Sequence, residues 1–265
     1  MVEDSMTAWV NKMPTVGRYF FSRDDVIREF PRLKSIGIKS ALRRLTESGR
    51  IFSPWRGFYV VIPEEYEPYG VEQSFFIDAL MKYLKKEYYV CLLNAAALHG
   101  SAHQAVMSFS VMISAPSLRN TQKGDMVIDF VSRKRMPMKY VQQRKNRTGY
   151  FNVSSPELTA LDLVSNYQKV GGFNRVAVVM SELTEVMDMS KVDSELLSYF
   201  SIADVQRLGY LLDEILEESE MADMLFSLSH THFRKAVLKK SKLADDAEFN
   251  DKWKLFINEN IIVEE

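Results

Sequence analysis

Few of the residues able to do chemistry stand with the partners a reaction needs. His99 and His103 lie four apart, a spacing that on one helix face suits a metal ion. The intervening Gly100-Ser101-Ala102 disfavours helix and supplies no glutamate, so a structural histidine pair is the better reading. Gly100-Ser101 could open a nucleotidyl-transfer motif. That chemistry needs paired carboxylates soon afterwards to hold Mg2+, and no acid occurs from Ser101 to Lys123. Asp125 and Asp129 lack a partner lysine or a third acid, and Gly171-Gly172 has no phosphate-loop context. His230 and His232 have no ligand-type neighbours. The single cysteine, Cys91, cannot form an internal disulfide and sits in the apolar run Tyr88–Leu93, so it reads as a buried small hydrophobe. No catalytic residue, metal or cofactor is expected.

Binding chemistry is better represented. The stretch Ser35-Ile36-Gly37-Ile38-Lys39-Ser40-Ala41-Leu42-Arg43-Arg44-Leu45-Thr46-Glu47-Ser48-Gly49 has helical periodicity. Ile38, Ala41, Leu42 and Leu45 share one face; Lys39, Ser40, Arg43, Arg44 and Glu47 share the other. A major groove admits one α-helix, and Arg and Lys can bond to guanine edges or phosphates. Ser35, Ile36, Lys39, Ser40 and Arg43 fall towards the N-terminal half of this helix, where base contacts concentrate. Arg44 and Lys34 suit phosphate. In the hairpin that follows, Arg50 and Arg56 suit the backbone or minor groove, with Trp55 packed beside them. The plainer alternative is a solvated basic face. A second cluster, Arg133, Lys134, Arg135, Lys139, Arg144, Lys145 and Arg147, could extend a nucleic-acid footprint, meet an acidic partner, or be a solvated loop.

These side chains need a scaffold, and the patterning supplies one. Met6, Trp9, Val10 and Met13 mark a first helix ending at Pro14, and Tyr19-Phe20-Phe21 a short strand. Ser22-Arg23-Asp24-Asp25 is a capping-box start in which Asp replaces the usual Glu; Pro31 ends that second helix. Ser35 is the expected N-cap of the third helix and Gly49 its stop. Residues 50–53 and 58–62 read as strands joined by Pro54-Trp55-Arg56-Gly57. Three helices and a hairpin in this order are those of a winged helix-turn-helix. Beyond it, helices are expected at 72–87 and 91–99, strands at 107–114, 126–131 and 149–153, and a helix capped by Ser155-Pro156-Glu157. The last hundred residues read as mainly helical, with the apolar stripe Val205, Leu208, Leu211, Leu212, Ile215 and Leu216.

The expected fold class is α+β: an N-terminal winged helix-turn-helix at 1–62, a linker at 63–71, a larger mixed α/β domain at 72–220, and a helical C-terminal extension at 221–265. Composition agrees with a globular chain, at 46% hydrophobic and 26% charged residues. No window approaches the length of apolar chain that spans a bilayer, and the first residues lack a basic signal-peptide region, so the cytoplasm is expected. The net charge of −1 conceals +5 over residues 1–62, +3 over 63–170 and −9 over 171–265. A basic head on an acidic tail fits a protein whose head alone meets phosphate.

The run Tyr88-Tyr89-Val90-Cys91-Leu92-Leu93-Asn94-Ala95-Ala96-Ala97-Leu98-His99-Gly100 resembles a landmark of AbiEi-type antitoxins of bacterial abortive-infection systems. Ser155-Pro156-Glu157-Leu158-Thr159-Ala160-Leu161-Asp162-Leu163 and Arg207-Leu208-Gly209-Tyr210-Leu211-Leu212 resemble two more, in the same order. The likeness spans roughly residues 5–220. It implies a repressor of its own operon that binds inverted repeats in double-stranded promoter DNA, and a neighbouring nucleotidyltransferase-like toxin that the larger domain counteracts. The alternatives are a DNA-targeted metal-dependent enzyme such as a nuclease, and a ligand-sensing winged-helix regulator with no toxin.

Overall fold

In the computed structural model, which describes residues 5–63, 66, 71–101 and 107–263, the chain begins with helix α1 (Met6–Lys12), capped by the Ser5 hydroxyl on the Ala8 amide at 3.2 Å. Strand β1 (Phe20–Ser22) leads into α2 (Arg23–Glu29) through a reciprocal capping box. The Asp25 carboxylate accepts the Ser22 amide at 2.6 Å, while the Ser22 hydroxyl accepts the Asp25 amide at 3.1 Å. Asp thus does the work of the usual Glu. Partial burial pushes the Asp25 carboxyl up, but these bonds, with Arg18 and Arg28 beside it, hold it below the ordinary carboxylate range.

Helix α3 (Ser35–Glu47) starts one residue away from expectation: Lys34 occupies the extended cap position and Ser35 lies in the first turn. The Ser35 hydroxyl instead accepts a bond from Arg23 at 2.9 Å. Gly49 ends the helix as expected, at φ +71°, while the amides of Gly49 and Arg50 bond back to Thr46 and Leu45. Strands β2 (Ile51–Trp55) and β3 (Phe58–Val61) follow, and the three strands pair antiparallel in the order β1-β3-β2. Val10, Phe21, Val26, Ile38, Leu42, Leu45 and Ile51 fill the core between helices and sheet.

The second layer system is built on a six-stranded mixed sheet, ordered β6-β7-β5-β4-β9-β8. Its parts are α4 (Gln73–Leu84), β4 (Tyr88–Val90), α5 (Leu92–Leu98), β5 (Phe109–Ser114), β6 (Thr121–Lys123), β7 (Met126–Arg133), β8 (Val141–Asn146) and β9 (Gly149–Ser154). Strands β5, β7 and β9 match expectation. Strands β4, β6 and β8 are additions: two are only three residues long, and β8 is polar and basic. Side chains alternate across the sheet. Val90, Val111 and Ile113 face α4, and Phe58 and Val60 of β3 join that core. Tyr89 and Met112 face the opposite way, onto the helices that follow.

Those helices are α6 (Pro156–Ser165), α7 (Phe173–Leu183), α8 (Ser194–Leu197), α9 (Ile202–Tyr210) and α10 (Ser219–Ser229). Residues beyond them depart from the expected helix: β10 (Ala236–Val237), β11 (Glu248–Asn250) and β12 (Leu255–Ile257) form a small sheet in the order β10-β12-β11. This sheet is fixed to α9. Arg207, 1% exposed, donates to the carbonyls of Leu238 and Val237 at 2.8 and 2.7 Å and pairs with Asp204 at 2.8 Å. Trp253 fills the notch over Gly209, where a Cβ would stand 1.9 Å from the indole. One apolar core therefore runs from Tyr89 to Ile261.

Candidate nucleic-acid interface

Helix α3 is positioned by its apolar stripe. Ile38, Leu42 and Leu45 are buried, which turns the other face out. Lys34, Ser35, Ile36, Lys39, Ser40, Arg43 and Arg44 are all exposed. Arg43 reaches Glu47 one turn on at 3.4 Å, a surface contact of small energy. Lys34, Lys39 and Arg44 have no ion-pair partner among the described residues. Ile36 is 81% exposed and stands among these cations. The face combines cations, hydroxyls and one apolar group, the set that reads phosphates, base edges and a thymine methyl.

Arg23, absent from the sequence-derived set, ties this face to the hairpin. Its amide donates to the Gly57 carbonyl and its guanidinium to the Ser35 hydroxyl, each at 2.9 Å. The start of α3 and the β2–β3 turn therefore share one end of the module. At that end Arg56 is exposed. Trp55 is not: its ring packs edge-on against Phe130 of β7 at 6.0 Å. It faces the larger domain instead of flanking Arg50 and Arg56, because Phe130 and its apolar neighbours offer it a dry contact. Arg50 is half-buried.

Most of the second basic cluster has partners within the protein. Arg133 turns inward, its side chain 15% exposed, onto the buried Asp162 at 3.1 Å. It also donates to the Tyr89 hydroxyl at 3.0 Å and the Tyr199 carbonyl at 2.8 Å. Arg135 stacks over Tyr199 at 4.7 Å, and Lys139 pairs with Asp193 and Glu195 at 3.1 and 2.7 Å. Arg144 bonds His99 at 3.2 Å and Arg147 lies over Tyr66 at 5.6 Å. Lys134 and Lys145 are exposed. A charge run in sequence says nothing of which members have acids waiting for them in space.

The Tyr89–Arg133–Asp162 network joins residues far apart in the chain, which no local pattern links. Burial pushes the Asp162 carboxyl up to about 6, against the pull of Arg133 and the Tyr89 hydroxyl. Cys91 is fully buried, and burial raises its thiol far above the usual range. His99 binds the Ser154 carbonyl at 2.7 Å through Nε2, and burial holds its imidazole below the ordinary value. With Arg144 donating to Nδ1, it serves as a neutral structural link. His103 lies outside the described residues, as do 64, 65 and 67–70 of the expected linker. Among the described residues, no three His, Cys, Asp or Glu side chains cluster to hold a metal, and no helix is long and apolar enough to cross a membrane.

Residues 88–214 match the family described as the AbiEi antitoxin C-terminal domain. The match runs from β4 past the end of α9 and bears out the resemblance carried by the three sequence landmarks. Among solved structures, the crystal structure of the RV2827C protein from Mycobacterium tuberculosis is similar, with a TM-score of 0.65 at 12% identity, over 96% of this chain and 91% of that one. At that identity the likeness concerns the fold alone. No curated protein matches the chain.

Proposed function

Starting from a chain whose residues 88–214 match an AbiEi antitoxin C-terminal domain, we propose a DNA-binding repressor that is the antitoxin of a toxin–antitoxin operon. Residues 1–62 act in this reading as a winged helix-turn-helix module, and 72–220 as the domain that counteracts the toxin. The order α1, β1, α2, α3, β2, β3 supports the first assignment. The observation that carries it is the outward face of α3: every one of Lys34, Ser35, Ile36, Lys39, Ser40, Arg43 and Arg44 is exposed over a buried stripe of Ile38, Leu42 and Leu45. A helix about 10–12 Å across fits a major groove about 12 Å wide.

In this reading Lys39 and Arg43 address base edges, Lys34 and Arg44 phosphates, and Arg56 the backbone beside the groove. The protein represses its own promoter at inverted repeats, works in the cytoplasm where that DNA is, and catalyses nothing. The toxin it answers is a nucleotidyltransferase-like protein encoded next to it.

Gel-shift titration at fixed salt, on a duplex from upstream of its own coding sequence, tests the reading. Lys39→Ala with Arg43→Ala should abolish specific binding while the unfolding midpoint stays in place, because both side chains are exposed. Unchanged affinity overturns the assignment of α3. Co-expression with the product of the adjacent gene tests the other half: relief of growth arrest is expected, and its failure removes the antitoxin role.

A further inference from the structure

We infer that Ile36 is the side chain through which α3 selects a thymine, by contact with its C5 methyl, and that Gly37 gives the first turn of the helix the clearance to sit that close. The inference rests on the DNA-binding reading of α3 and names one of the bases it reads.

At about 100° per residue, the buried Ile38, Leu42 and Leu45 lie about 200°, 240° and 180° round α3 from Ile36. Ile36 therefore points almost straight away from the core, and it is 81% exposed. Ser40 and Arg43 share that line within about 60°, and both are exposed. Ile36 is the N-terminal member of this row, at the end of a recognition helix where base contacts concentrate. The row from Ile36 to Arg43 is about 10.5 Å long, the height of about three base pairs. Among base edges in the major groove, the thymine methyl is the one apolar feature; the other groups are donors or acceptors. Against a cytosine, Ile36 strips water from an amino group and returns no bond. Against a thymine, it buries a methyl.

Gly37 is an independent observation. It lies in the first turn of α3, is exposed, and has a backbone outside the left-handed region. A Cβ there would meet nothing within 4 Å, so neither packing nor conformation requires glycine. Alanine would suit the helix better, since glycine loses more backbone freedom on becoming helical. The advantage of glycine lies outside the fold: a bare backbone beside Ile36 lets the helix approach a duplex closely.

That approach is fixed by contacts on both sides of the β2–β3 turn. The Arg23 guanidinium donates to the Ser35 hydroxyl, next to Ile36, and the Arg23 amide to the Gly57 carbonyl, each at 2.9 Å. The larger domain clasps the same turn. The Tyr83 hydroxyl donates to the Arg56 carbonyl at 3.3 Å and the Thr121 hydroxyl to the Pro54 carbonyl at 3.2 Å, while Trp55 rests on Phe130. The first turn of α3 is thus held in place before DNA arrives. A methyl contact needs this, because a gap of even about 1 Å forfeits much of the attraction.

The test is anisotropy titration of the full-length protein at fixed salt on the upstream duplex, with each thymine in turn replaced by deoxyuridine, which lacks only the C5 methyl. Burial of one methyl corresponds to a factor of about 4 in affinity. At one position of a half-site, the replacement should weaken binding by that factor. Ile36→Ala should weaken binding to the thymine duplex by at least as much and become indifferent to the replacement at that position; Ile36→Val should keep the preference. Gly37→Ala should raise the unfolding midpoint yet weaken binding, a combination that a purely structural glycine does not produce. Indifference of the unaltered protein to every replacement, or an Ile36→Ala variant that still senses the same methyl, overturns the thymine contact. A Gly37→Ala variant that binds as well as the unaltered protein overturns the clearance. Both results leave the α3 reading standing while Lys39→Ala with Arg43→Ala abolishes binding. No binding by the unaltered protein overturns that reading and this inference together.

Discussion

Two side chains illustrate how exposure and burial divide function from stability at the level of single residues. Ile36 is 81% exposed on the cationic face of α3. Its removal costs the fold almost nothing, because exposed substitutions shift stability by less than about 0.5 kcal/mol. Ile36→Ala should therefore leave the denaturation midpoint in place and weaken binding to the specific duplex more than to a random one. Asp162 is the reverse case. Truncating it to Ala strands Arg133 in the interior, and breaking a buried pair costs about 3–5 kcal/mol, measurable by urea denaturation. Its titration also has a definite sign. The folded carboxyl sits at about 6 against its usual 3.8, so the folded state binds the proton more tightly. The contribution is fully present below the unfolded value and is lost as pH rises through about 6. Denaturation at a series of pH values should show that decline, and Asp162→Asn should flatten it.

At the level of elements, what could be read from sequence was set by how local the signal is. The boundaries of α2 and α3 follow from Ser22, Asp25, Pro31 and Gly49, all within a turn of the feature they control. The N-cap of α3 lies one residue before the predicted Ser35, whose hydroxyl is engaged by Arg23, a partner twelve positions back that no local pattern reveals. The short strands β4 and β6 are too brief to establish a period, and β8 has no apolar alternation to detect. The terminal sheet at 236–257 stands where the patterning predicts helix, held by distant contacts, Arg207 on two carbonyls and Trp253 over Gly209. Its test is direct: Gly209→Ala forces a methyl into the indole, and overpacking of this kind costs about 1–3 kcal/mol. Thermal unfolding should fall accordingly. Loss of the Ser22 hydroxyl in Ser22→Ala should cost about 1 kcal/mol through the capping box of α2.

For the molecule as a whole, the decisive fact is that β3 contributes to two cores. Val61 packs within the N-terminal module, whereas Phe58 and Val60 pack with Phe76, Leu80 and Ile113. Shared apolar burial couples the two parts, so heating the full chain should give one cooperative transition by calorimetry; two resolved peaks would contradict the coupling. The α3 site was legible in sequence as a list of cations, but the clasp around its hairpin was not, since Tyr83, Thr121 and Phe130 come from three separate elements. That clasp also equips the protein with its own optical gauge. Of the three tryptophans, Trp9 belongs to the module and Trp253 to the terminal sheet, while Trp55 alone spans the seam against Phe130. With Trp9 and Trp253 replaced by Phe, the colour of the remaining emission would follow the seam in real time: blue while the ring stays dry, red the moment water reaches it.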